Sequence, residues 1–204
     1  MFDFLDDEEN AISILKDDHN KLKDLFDEFE GTDSHRQRNK IIARALEILK
    51  LHAAMEEHIF YPAARSCTDS YQMDEADEEH HVAKILVAEI EGMKNSDAHY
   101  DAKFKVLAES VRHHIKEEEN TIFPRVKSAD LDLVALGQEM LSLRRKLMQQ
   151  GVPTSPEDRM VATEQNKSPT NTRLRKNGKV AKAHKKVPAH LKGRTQDTST
   201  GAPL

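Results

Sequence analysis

The sequence predicts an all-α protein: an antiparallel, up-down four-helix bundle with an extra C-terminal helix and a disordered basic tail. Three observations predict this class. Hydrophobic residues recur at alternating spacings of three and four residues, as they do on a helix that buries one face. Glycine and proline are sparse before residue 150, and long β-branched runs are absent. The third observation is an internal duplication of a pair of helices, whose short connections favour antiparallel packing.

The duplication is visible in two pairs of aligned segments. Residues 17–31 align without gaps on residues 78–92, at an offset of 61, and residues 52–62 align on residues 114–124, at an offset of 62. Each copy therefore combines a helix that carries a lone histidine with a helix that carries a His-x-x-x-Glu sequence. A duplicated helical hairpin tends to pack around a pseudo-twofold axis, so we expect the two copies to face each other.

The first copy predicts two helices. The first helix runs from about Glu8 to Glu30, with the inward positions Ile12, Leu15, His19, Leu22, Phe26 and Phe29. The second helix runs from about His35 to Arg65, and Pro62 should kink or loosen its last turn. Its inward positions are Ala45, Leu49, His52, Glu56, Ile59 and Ala63.

The second copy predicts two further helices, and a fifth follows them. The third helix runs from about Met73 to Glu91 or Lys94, with the inward positions Ala76, His80, Ala83, Val87 and Ile90. The fourth runs from about Ala98 to Lys127, with the inward positions Phe104, Leu107, Val111, His114, Glu118 and Ile122. An amphipathic segment at about residues 130–149 should pack against the outside of the bundle. We expect residues 1–150 to form the bundle with this helix.

Six polar side chains occupy inward positions of the predicted bundle: His19, His52, Glu56, His80, His114 and Glu118. A buried carboxylate or imidazolium without a partner is costly, and metal ligation would satisfy all six together. Residues four apart lie on one face of a helix, so each His-x-x-x-Glu pair can reach one point. Imidazole and carboxylate ligands together suit a transition metal. The pattern therefore predicts a metal site between the helices.

A single inward histidine is more often a hydrogen-bonded core residue than a ligand, so the prediction depends on all six together. His81 and His113 lie one position off the inward stripe and are interpreted as surface or supporting groups. The simplest interpretation of Glu57, Glu117 and Glu119 is that they are solvated charges, although Glu57 is close enough in sequence to contact a metal. The tyrosines are too few and too scattered to assign.

These segments resemble the hemerythrin-like, HHE cation-binding family over about Ile12–Lys127. The resemblance is carried by Asp18-His19, by His52-Ala-Ala-Met-Glu56-Glu57-His-Ile-Phe-Tyr-Pro62, by Glu79-His80 and by His114-Ile-Lys-Glu-Glu118-Glu119-Asn-Thr-Ile-Phe-Pro124. It implies an up-down four-helix bundle that holds a non-haem di-iron centre. Members of the family bind oxygen, sense iron or oxygen, respond to nitric oxide, or help to repair iron centres.

Two departures separate this sequence from the oxygen-carrying hemerythrins. The residue four after His80 is Lys84, where those proteins have a second histidine, and Glu118 stands where they have an aspartate. The set of four histidines and two glutamates looks more like the iron-sensing and iron-repair branch. The repeat predicts that His19 and His52 serve one ion, that His80 and His114 serve the other, and that Glu56 and Glu118 bridge them. Iron is the expected metal; zinc or manganese suits the same ligands.

Three functions remain open from the sequence. The first is a di-iron protein that binds or senses oxygen, nitric oxide or iron. The second is an oxidoreductase that acts on peroxide or nitric oxide at the same centre, with iron-centre repair and iron storage as related roles. The third is a metal-free bundle that acts as an interaction module. Ligand identity does not encode turnover, so the sequence does not decide whether the protein is an enzyme.

The tail from residue 151 differs in composition from the rest of the chain. Residues 151–204 hold 11 Lys and Arg against 4 Asp and Glu, a net charge of +7, whereas the whole chain carries −5. The tail lacks apolar periodicity, which predicts disorder. Its basic part, Arg173 to Arg194, suggests binding to nucleic acid or another anionic surface. The alternative is a solubilising tail, or one that folds back on the acidic bundle.

Other features limit the class of protein. The single Cys67 excludes an internal disulfide framework and a cysteine-rich zinc site. The N-terminus has neither the basic start nor the apolar stretch of a secretory signal. No apolar run approaches the roughly 20 residues that a membrane span requires. We therefore expect a soluble, cytoplasmic protein.

Overall fold

The structure is a computed structural model, and it describes residues 10–167. Helices are the only regular secondary structure in the described residues, which confirms the predicted fold class. Its α-helices are α1 (Ala11–Glu30), α2 (His35–Met55), α3 (Tyr61–Ala64), α4 (Ser70–Gly92), α5 (Tyr100–Glu117), α6 (Phe123–Ser128), α7 (Leu133–Gln150) and α8 (Pro156–Lys167). Two π-helical turns join consecutive helices: π1 (Glu56–Phe60) links α2 to α3, and π2 (Glu118–Ile122) links α5 to α6.

α1, α4 and α7 each begin at a side chain that accepts hydrogen bonds from the first free backbone N–H groups. The Asn10 side chain accepts from the backbone N–H groups of Ile12 and Ser13, each at 3.1 Å, so α1 begins at Ala11 and not near Glu8 as predicted. Asp69 accepts from Tyr71 at 2.9 Å at the start of α4. Asp132 accepts from Ala135 at 2.9 Å at the start of α7.

The two π-helical turns occupy equivalent places in the repeat. Each ends two residues before a proline, Pro62 or Pro124, whose nitrogen cannot donate the usual backbone hydrogen bond. The backbone N–H of Tyr61 instead bonds to the carbonyl of Glu56, five residues earlier, and Phe123 bonds to Glu118 in the same way. In the structure, the turn before Pro62 is therefore wider than an α-helical turn. Wide turns of this kind are frequent at functional sites.

The extra residue in π1 shifts the buried face of the chain that follows it. The sequence predicts Ile59 and Ala63 as inward positions, but the structure leaves both only partly buried. Phe60, Tyr61 and Ala64 are buried instead, at 0, 2 and 0% exposure. The predicted spacing fails here because a π-helical turn holds one residue more than the α-helical period assumes.

Two apolar clusters make up the interior, and a polar layer lies between them. One cluster includes Leu22, Phe26, Leu49, Val87 and Val111. The other includes Leu15, Met55, Ala76, Ile122 and Phe123. Each lone histidine separates a residue of one cluster from a residue of the other along its helix: His19 lies between Leu15 and Leu22, and His80 between Ala76 and Val87. Tight apolar packing on both sides therefore holds the polar layer in place.

α7 covers the bundle beside α1 and α2, as predicted for the amphipathic segment at residues 130–149. Its residue Met140 is fully buried, and Leu133, Leu136 and Leu143 pack against the second cluster. Arg144 makes an ion pair with the buried carboxylate of Asp18 on α1. This contact ties α7 to the helix that carries His19.

The chain after residue 150 differs from the sequence prediction of a disordered tail. Pro156–Lys167 form α8, which packs on α4. Ser155 starts this helix: its hydroxyl accepts from the backbone of Asp158 at 3.1 Å, and the Asp158 side chain accepts from the backbone of Ser155 at 2.7 Å. This reciprocal pair is a capping box, and proline is favoured at the position that Pro156 takes. Residues 168–204, including the basic segment Arg173 to Arg194, lie outside the described residues.

The lengths and compositions of the helices test the prediction that the chain has no membrane span. Between residues 10 and 167, none of the helices is both long enough and apolar enough to cross a membrane.

Candidate metal centre

The six residues predicted as ligands lie together in the buried polar layer, and none of them is more than 7% exposed. α1 and α4 each supply one histidine, and α2 and α5 each supply one histidine just before the glutamate that opens a π-helical turn. The helix ends therefore place the carboxylates of Glu56 and Glu118 at the same depth as the four imidazoles.

The six side chains form two groups that share Glu56. In each group, one nitrogen or oxygen atom from every member lies within 4.8 Å of the corresponding atoms of the other members. One group contains His19, His52, Glu56 and Glu118, and the other contains Glu56, His80 and His114. The imidazole rings pair in the same way, because the ring centroids of His19 and His52 are 4.9 Å apart and those of His80 and His114 are 4.8 Å apart. The two halves of the repeat thus provide one histidine pair each.

The carboxylates of Glu56 and Glu118 lie between the histidine pairs. One oxygen of Glu56 lies 3.1 Å from His52 Nε2, and the other lies 3.2 Å from His80 Nε2. Oε2 of Glu118 lies 3.3 Å from His19 Nε2 and 3.7 Å from His114 Nε2. Each carboxylate therefore contacts a histidine from both halves of the repeat, which is the position that a bridging ligand needs.

Several buried atoms of this layer converge without bonding to one another. Among the described residues, Nε2 of His19, Nε2 of His52 and all four carboxylate oxygens of Glu56 and Glu118 have no hydrogen-bond partner. These atoms lie 3.1–3.3 Å apart, but the contacts do not have the geometry of hydrogen bonds. Buried polar atoms are normally satisfied, and bound cations satisfy lone pairs that converge on one point. The residues present therefore fit a metal centre.

A second carboxylate binds the outward-facing ring nitrogen of three of the four histidines. The other ring nitrogen, Nδ1, donates to Glu119 from His19 at 2.9 Å, to Glu57 from His80 at 3.0 Å and to Glu79 from His114 at 2.8 Å. In the fourth case, Nδ1 of His52 lies 3.8 Å from Asp18, too far for a hydrogen bond. This pattern is typical of metal-binding histidines, because the carboxylate orients the ring and leaves the Nε2 lone pair facing inward.

The carboxylates raise the pKa of two histidines in the metal-free protein. Burial lowers the pKa of His52, but the negative charge of Glu56 outweighs it and raises this pKa to about 10. Burial likewise lowers the pKa of His80, and its contacts with Glu56 and Glu57 raise it to about 9. Burial raises the pKa of Glu56, and the positive charge of His52 outweighs it, so that carboxyl has a pKa well below its ordinary value. Without metal, protons therefore balance the charge of this layer.

The two histidine pairs have different aromatic neighbours. The hydroxyl of Tyr61 lies 3.1 Å from His80 Nε2 and 3.4 Å from His114 Nε2. The equivalent residue of the other copy, Phe123, instead stacks on His19 with a centroid distance of 5.7 Å and an interplanar angle of 6°. Burial raises the pKa of Tyr61 well above its ordinary value, so the phenol stays protonated. One half of the centre therefore has a hydrogen-bond donor that the other half lacks.

The neighbouring residues follow the sequence prediction only in part. His81 and His113 are not part of the two buried groups: His81 Nδ1 donates to Glu157 at 2.8 Å, and Nε2 of His113, whose side chain is 62% exposed, lies 3.2 Å from Glu117 and 3.6 Å from Glu79. Glu57 and Glu119 are not the solvated charges that the sequence predicts, because each accepts a hydrogen bond from a buried histidine. Both are only about a quarter exposed, at 28 and 26%.

The sequence did not predict that Glu57, Glu79 and Glu119 bind the histidines, or that Tyr61 contacts two of them. The signal for the carboxylates was available in the repeat, since Asp18 aligns with Glu79 and Glu57 aligns with Glu119. Matched acidic residues beside matched histidines indicate a paired role. The position of Tyr61 depends on π1, and the α-helical period alone does not predict that it faces inward.

A helical bundle with buried imidazoles and carboxylates that converge in its interior defines a class of cation-binding proteins. The family model described as the hemerythrin HHE cation binding domain matches residues 10–126, more than half of this chain. The protein belongs to the hemerythrin HHE cation-binding domain family, and its candidate ligand groups support a metal-binding, hemerythrin-like protein. This result confirms the family resemblance read from the sequence.

Two individual proteins are similar to this chain. A hemerythrin HHE cation binding domain-containing protein from Mycobacterium kansasii, solved as a crystal structure, superposes with a TM-score of 0.58 at 21% identity, over 76% of this chain and 98% of that chain. A DNA nickase from Nostoc sp. (strain PCC 7120 / SAG 25.82 / UTEX 2576) is 26% identical over 119 residues, which are 58% of this chain and 34% of the nickase. The chain thus spans about a third of the length of this curated relative.

Proposed function

We propose that the protein holds two iron ions in the polar layer and binds oxygen, nitric oxide or a related small molecule there. The observation that carries this proposal is the group of buried atoms on His19, His52, Glu56 and Glu118 that converge without bonding to one another. Two cations between the helices would satisfy these atoms. Iron agrees with the family and with the mixture of imidazole and carboxylate ligands.

The ligand assignment follows the two groups. His19 and His52 would hold one ion, His80 and His114 would hold the other, and Glu56 and Glu118 would bridge them. The contacts of each carboxylate with histidines from both halves support the bridge. Four protein donors to each ion leave positions for a small molecule. Zinc or manganese would occupy the same ligand set if it were the more available metal.

The bound iron would supply redox chemistry and coordination of a diatomic ligand, and the protein supplies orientation and protons. Glu57, Glu79 and Glu119 hold three of the imidazoles with Nε2 facing inward. Tyr61 can donate its hydroxyl proton in a hydrogen bond to a molecule bound beside His80 and His114. Burial of the layer excludes bulk water and strengthens each of these contacts.

Metal analysis of matched variants tests the proposal. The wild-type protein, reconstituted with ferrous iron without oxygen, should hold two equivalents, and its optical spectrum should change with oxygen or nitric oxide. His52→Ala and His114→Ala should each lose much of the iron. His81→Ala and His113→Ala are the controls, because these rings face Glu157 and Glu117. Equal loss in all four variants would contradict the ligand assignment, and sub-stoichiometric wild-type iron would favour a metal-free module.

The basic segment from Arg173 to Arg194 supports a second proposal, that the tail binds nucleic acid or another anionic surface. This segment carries no Asp or Glu, whereas residues 1–150 have a net charge of −12. A run of like charge binds phosphates without sequence preference. The similarity to a DNA nickase is compatible with nucleic-acid binding, but the matched region is a third of that enzyme, so nicking is not part of this proposal.

A further inference from the structure

A second group of imidazole and carboxylate side chains lies on the outer side of α4 and α5. Glu79, His113 and Glu117, here called the surface triad, each offer one ligand atom within 4.8 Å of the others. Nε2 of His113 lies 3.2 Å from Glu117 and 3.6 Å from Glu79. Glu79 and His113 directly precede His80 and His114, and one residue is a rise of about 1.5 Å along a helix. The surface triad therefore lies at about the depth of that histidine pair.

Glu79 connects the surface triad with the buried centre. Its Oε1 lies towards His113, and its Oε2 accepts a hydrogen bond from His114 Nδ1 at 2.8 Å. The exposed fraction of the side chains falls from 62% at His113 through 40% at Glu117 and 19% at Glu79 to 1% at Glu118. Ligand atoms of the same kinds thus form a series from the solvent to the polar layer.

A small pocket between α4 and the end of α5 joins the two groups. Its volume is about 80 Å³, and it is lined both by Glu79 and Glu117 of the surface triad and by His114 and Glu118 of the centre. The rest of its wall consists of Gln72, Glu75, Ala76, Thr121 and Ile122. Because a water molecule takes about 30 Å³ in the liquid, a metal ion fits here with only a small part of its water shell.

Two side chains that line this pocket have buried oxygen atoms with unsatisfied lone pairs. Glu118 is 1% exposed, and neither of its oxygens has a hydrogen-bond partner among the described residues. Oε1 of Gln72 is likewise buried without a partner in this part of the chain. Buried acceptors normally contact a donor or a cation. These oxygens therefore indicate, independently of the surface triad, that the pocket suits a cation and the water bound to it.

The charges around the pocket favour a cation. No lysine or arginine of the described residues lines it, whereas four glutamates do: Glu75, Glu79, Glu117 and Glu118. Basic residues of neighbouring segments have other contacts. Arg112 and Lys116 line a separate pocket against α1, and Arg65 pairs with Asp74 and Asp77. A cleft lined by one sign of charge raises the local concentration of ions of the opposite sign.

We propose that the surface triad captures a divalent transition-metal ion from solution and passes it through the pocket to Glu118 and His114. An imidazole with two carboxylates suits such an ion, with ferrous iron as the natural cargo. The proposal rests on the two-metal centre proposed above, which receives the ion. Because the surface triad is exposed, an ion there exchanges with solvent and is not retained. Changes at the surface triad therefore slow metal uptake and leave the final content of two ions unchanged.

The rate at which the metal-free, full-length protein takes up cobalt(II) under nitrogen tests this route. Stopped-flow absorbance in the visible range follows loading, and metal analysis after desalting gives the retained content. His113→Ala/Glu117→Gln should load at least about tenfold more slowly, equivalent to about 1.4 kcal/mol, and still retain two ions. His99→Ala/Glu109→Gln is the matched control, because it removes the same kinds of exposed side chain outside the pocket. It should load as the wild type does.

Charge reversal at the pocket gives the second measurement. Glu75 and Glu78 are both exposed on α4, but only Glu75 lines the pocket. Glu75→Lys should slow cobalt uptake about tenfold, because it places a positive charge on the path of the ion. Glu78→Lys makes the same change in net charge and should load close to the wild-type rate. Circular dichroism of each variant checks that the helical content is unchanged.

The retained metal content of the wild type separates the two proposals. Two retained ions with an unchanged uptake rate in either pocket variant would overturn the route and leave the centre intact. Equal slowing in a variant and its control would assign the effect to the acidic surface as a whole and also overturn the route. A lower retained content in His113→Ala/Glu117→Gln would show that these residues hold an ion permanently, against the proposed transfer. A wild type that retains no metal would contradict the centre, and the route would fail with it.

Discussion

At the scale of single residues, the centre depends on pairs of side chains that have different tasks. Three of the four inward histidines donate Nδ1–H to a carboxylate, and each bridging candidate, Glu56 or Glu118, contacts histidines from both halves. A buried carboxylate between two imidazoles is stable only while a proton or a cation balances its charge. Changes at these residues should therefore affect both ions together.

Removal of a bridging carboxylate should affect more than one ion. Glu56→Ala and Glu118→Ala should each lower bound iron by more than one equivalent, because both oxygens of the lost group would contact the centre. Atomic absorption on reconstituted protein measures this loss. Glu117→Ala is the control, since its side chain is 40% exposed and contacts His113. A stable one-iron species from either bridging variant would show that the carboxylates are terminal ligands.

Metal uptake at pH 7 should release protons. The pKa values of His52 and His80, about 10 and about 9 in the metal-free protein, keep both rings protonated, and a metal needs their neutral form. Zinc titrations in buffers of different ionisation enthalpy should therefore report a release that approaches two protons from these rings. Release that stays near zero at pH 7 would contradict the charged state of the empty site.

The same two histidines set the pH dependence of metal-free stability. Their folded pKa values lie above the unfolded value of about 6.5, so the stabilisation is complete below that pH and is lost as the pH rises through 9–10. Urea denaturation of the metal-free protein should show a lower free energy of unfolding at pH 10 than at pH 7. His52→Gln should flatten this decline, and an unchanged decline would assign it to other groups.

At the scale of elements, two π-helical turns position the site, and a glycine positions the connection between α7 and α8. π1 and π2 begin at the glutamates in both copies, and a proline lies just after each of them. The reversal after α7 depends on Gly151, whose φ of 82° and ψ of 155° fall in a region that is essentially restricted to glycine. The chain turns at this residue, from the end of α7 towards Ser155 at the start of α8.

Gly151→Ala should therefore destabilise the connection between α7 and α8. A side chain at this position meets open space, so the cost is backbone strain of about 1–3 kcal/mol and not a clash. Urea denaturation should show this loss if α8 unfolds with the bundle. If α8 detaches first, hydrogen exchange should show faster exchange in Pro156–Lys167 with little change in α1. No effect on either measurement would contradict the conformation at Gly151.

At the scale of the whole molecule, the candidate ligands all come from α1, α2, α4 and α5 and the start of the two π-helical turns. α7 and α8 contribute none of them; α7 contacts the α1 side and α8 the α4 side. Truncations should thus separate metal binding from stability. A chain that ends at Gln150 should fold and keep its iron stoichiometry, but with lower stability than one that ends at Lys167, because it lacks Glu157 and its contacts with His81 and Lys84. Strong loss of iron on truncation at Gln150 would contradict this separation.

The nucleic-acid proposal is tested with the same truncation at Lys167. The full chain should bind duplex DNA with an affinity that falls steeply with salt, and the truncated chain should lose this binding, because counterion release by the basic segment supplies it. Fluorescence anisotropy across a range of salt concentrations measures both. Binding that survives truncation or does not depend on salt would contradict a role for residues 168–204.

The sequence by itself determined the helical class, the order of the helices and the six inward polar positions, because each depends on a local period and on the repeat. It did not reveal Tyr61, since the widened turn of π1 changes the period on which the prediction depends. It also assigned Glu57 and Glu119 to solvent, although each lies behind a histidine of another helix.

Only the tertiary structure decided the contacts between distant segments. α8 has weak apolar periodicity, and its place on α4 depends on a capping box and on the contact of Glu157 with His81 and Lys84. The cavity beside the polar layer, which is lined by His52, His80 and His114, also has no signature in the sequence, because its walls come from five helices, π1 and a connection that are far apart along the chain. Local propensity acts over a few residues, whereas a cavity is the space that remains when distant side chains pack against one another.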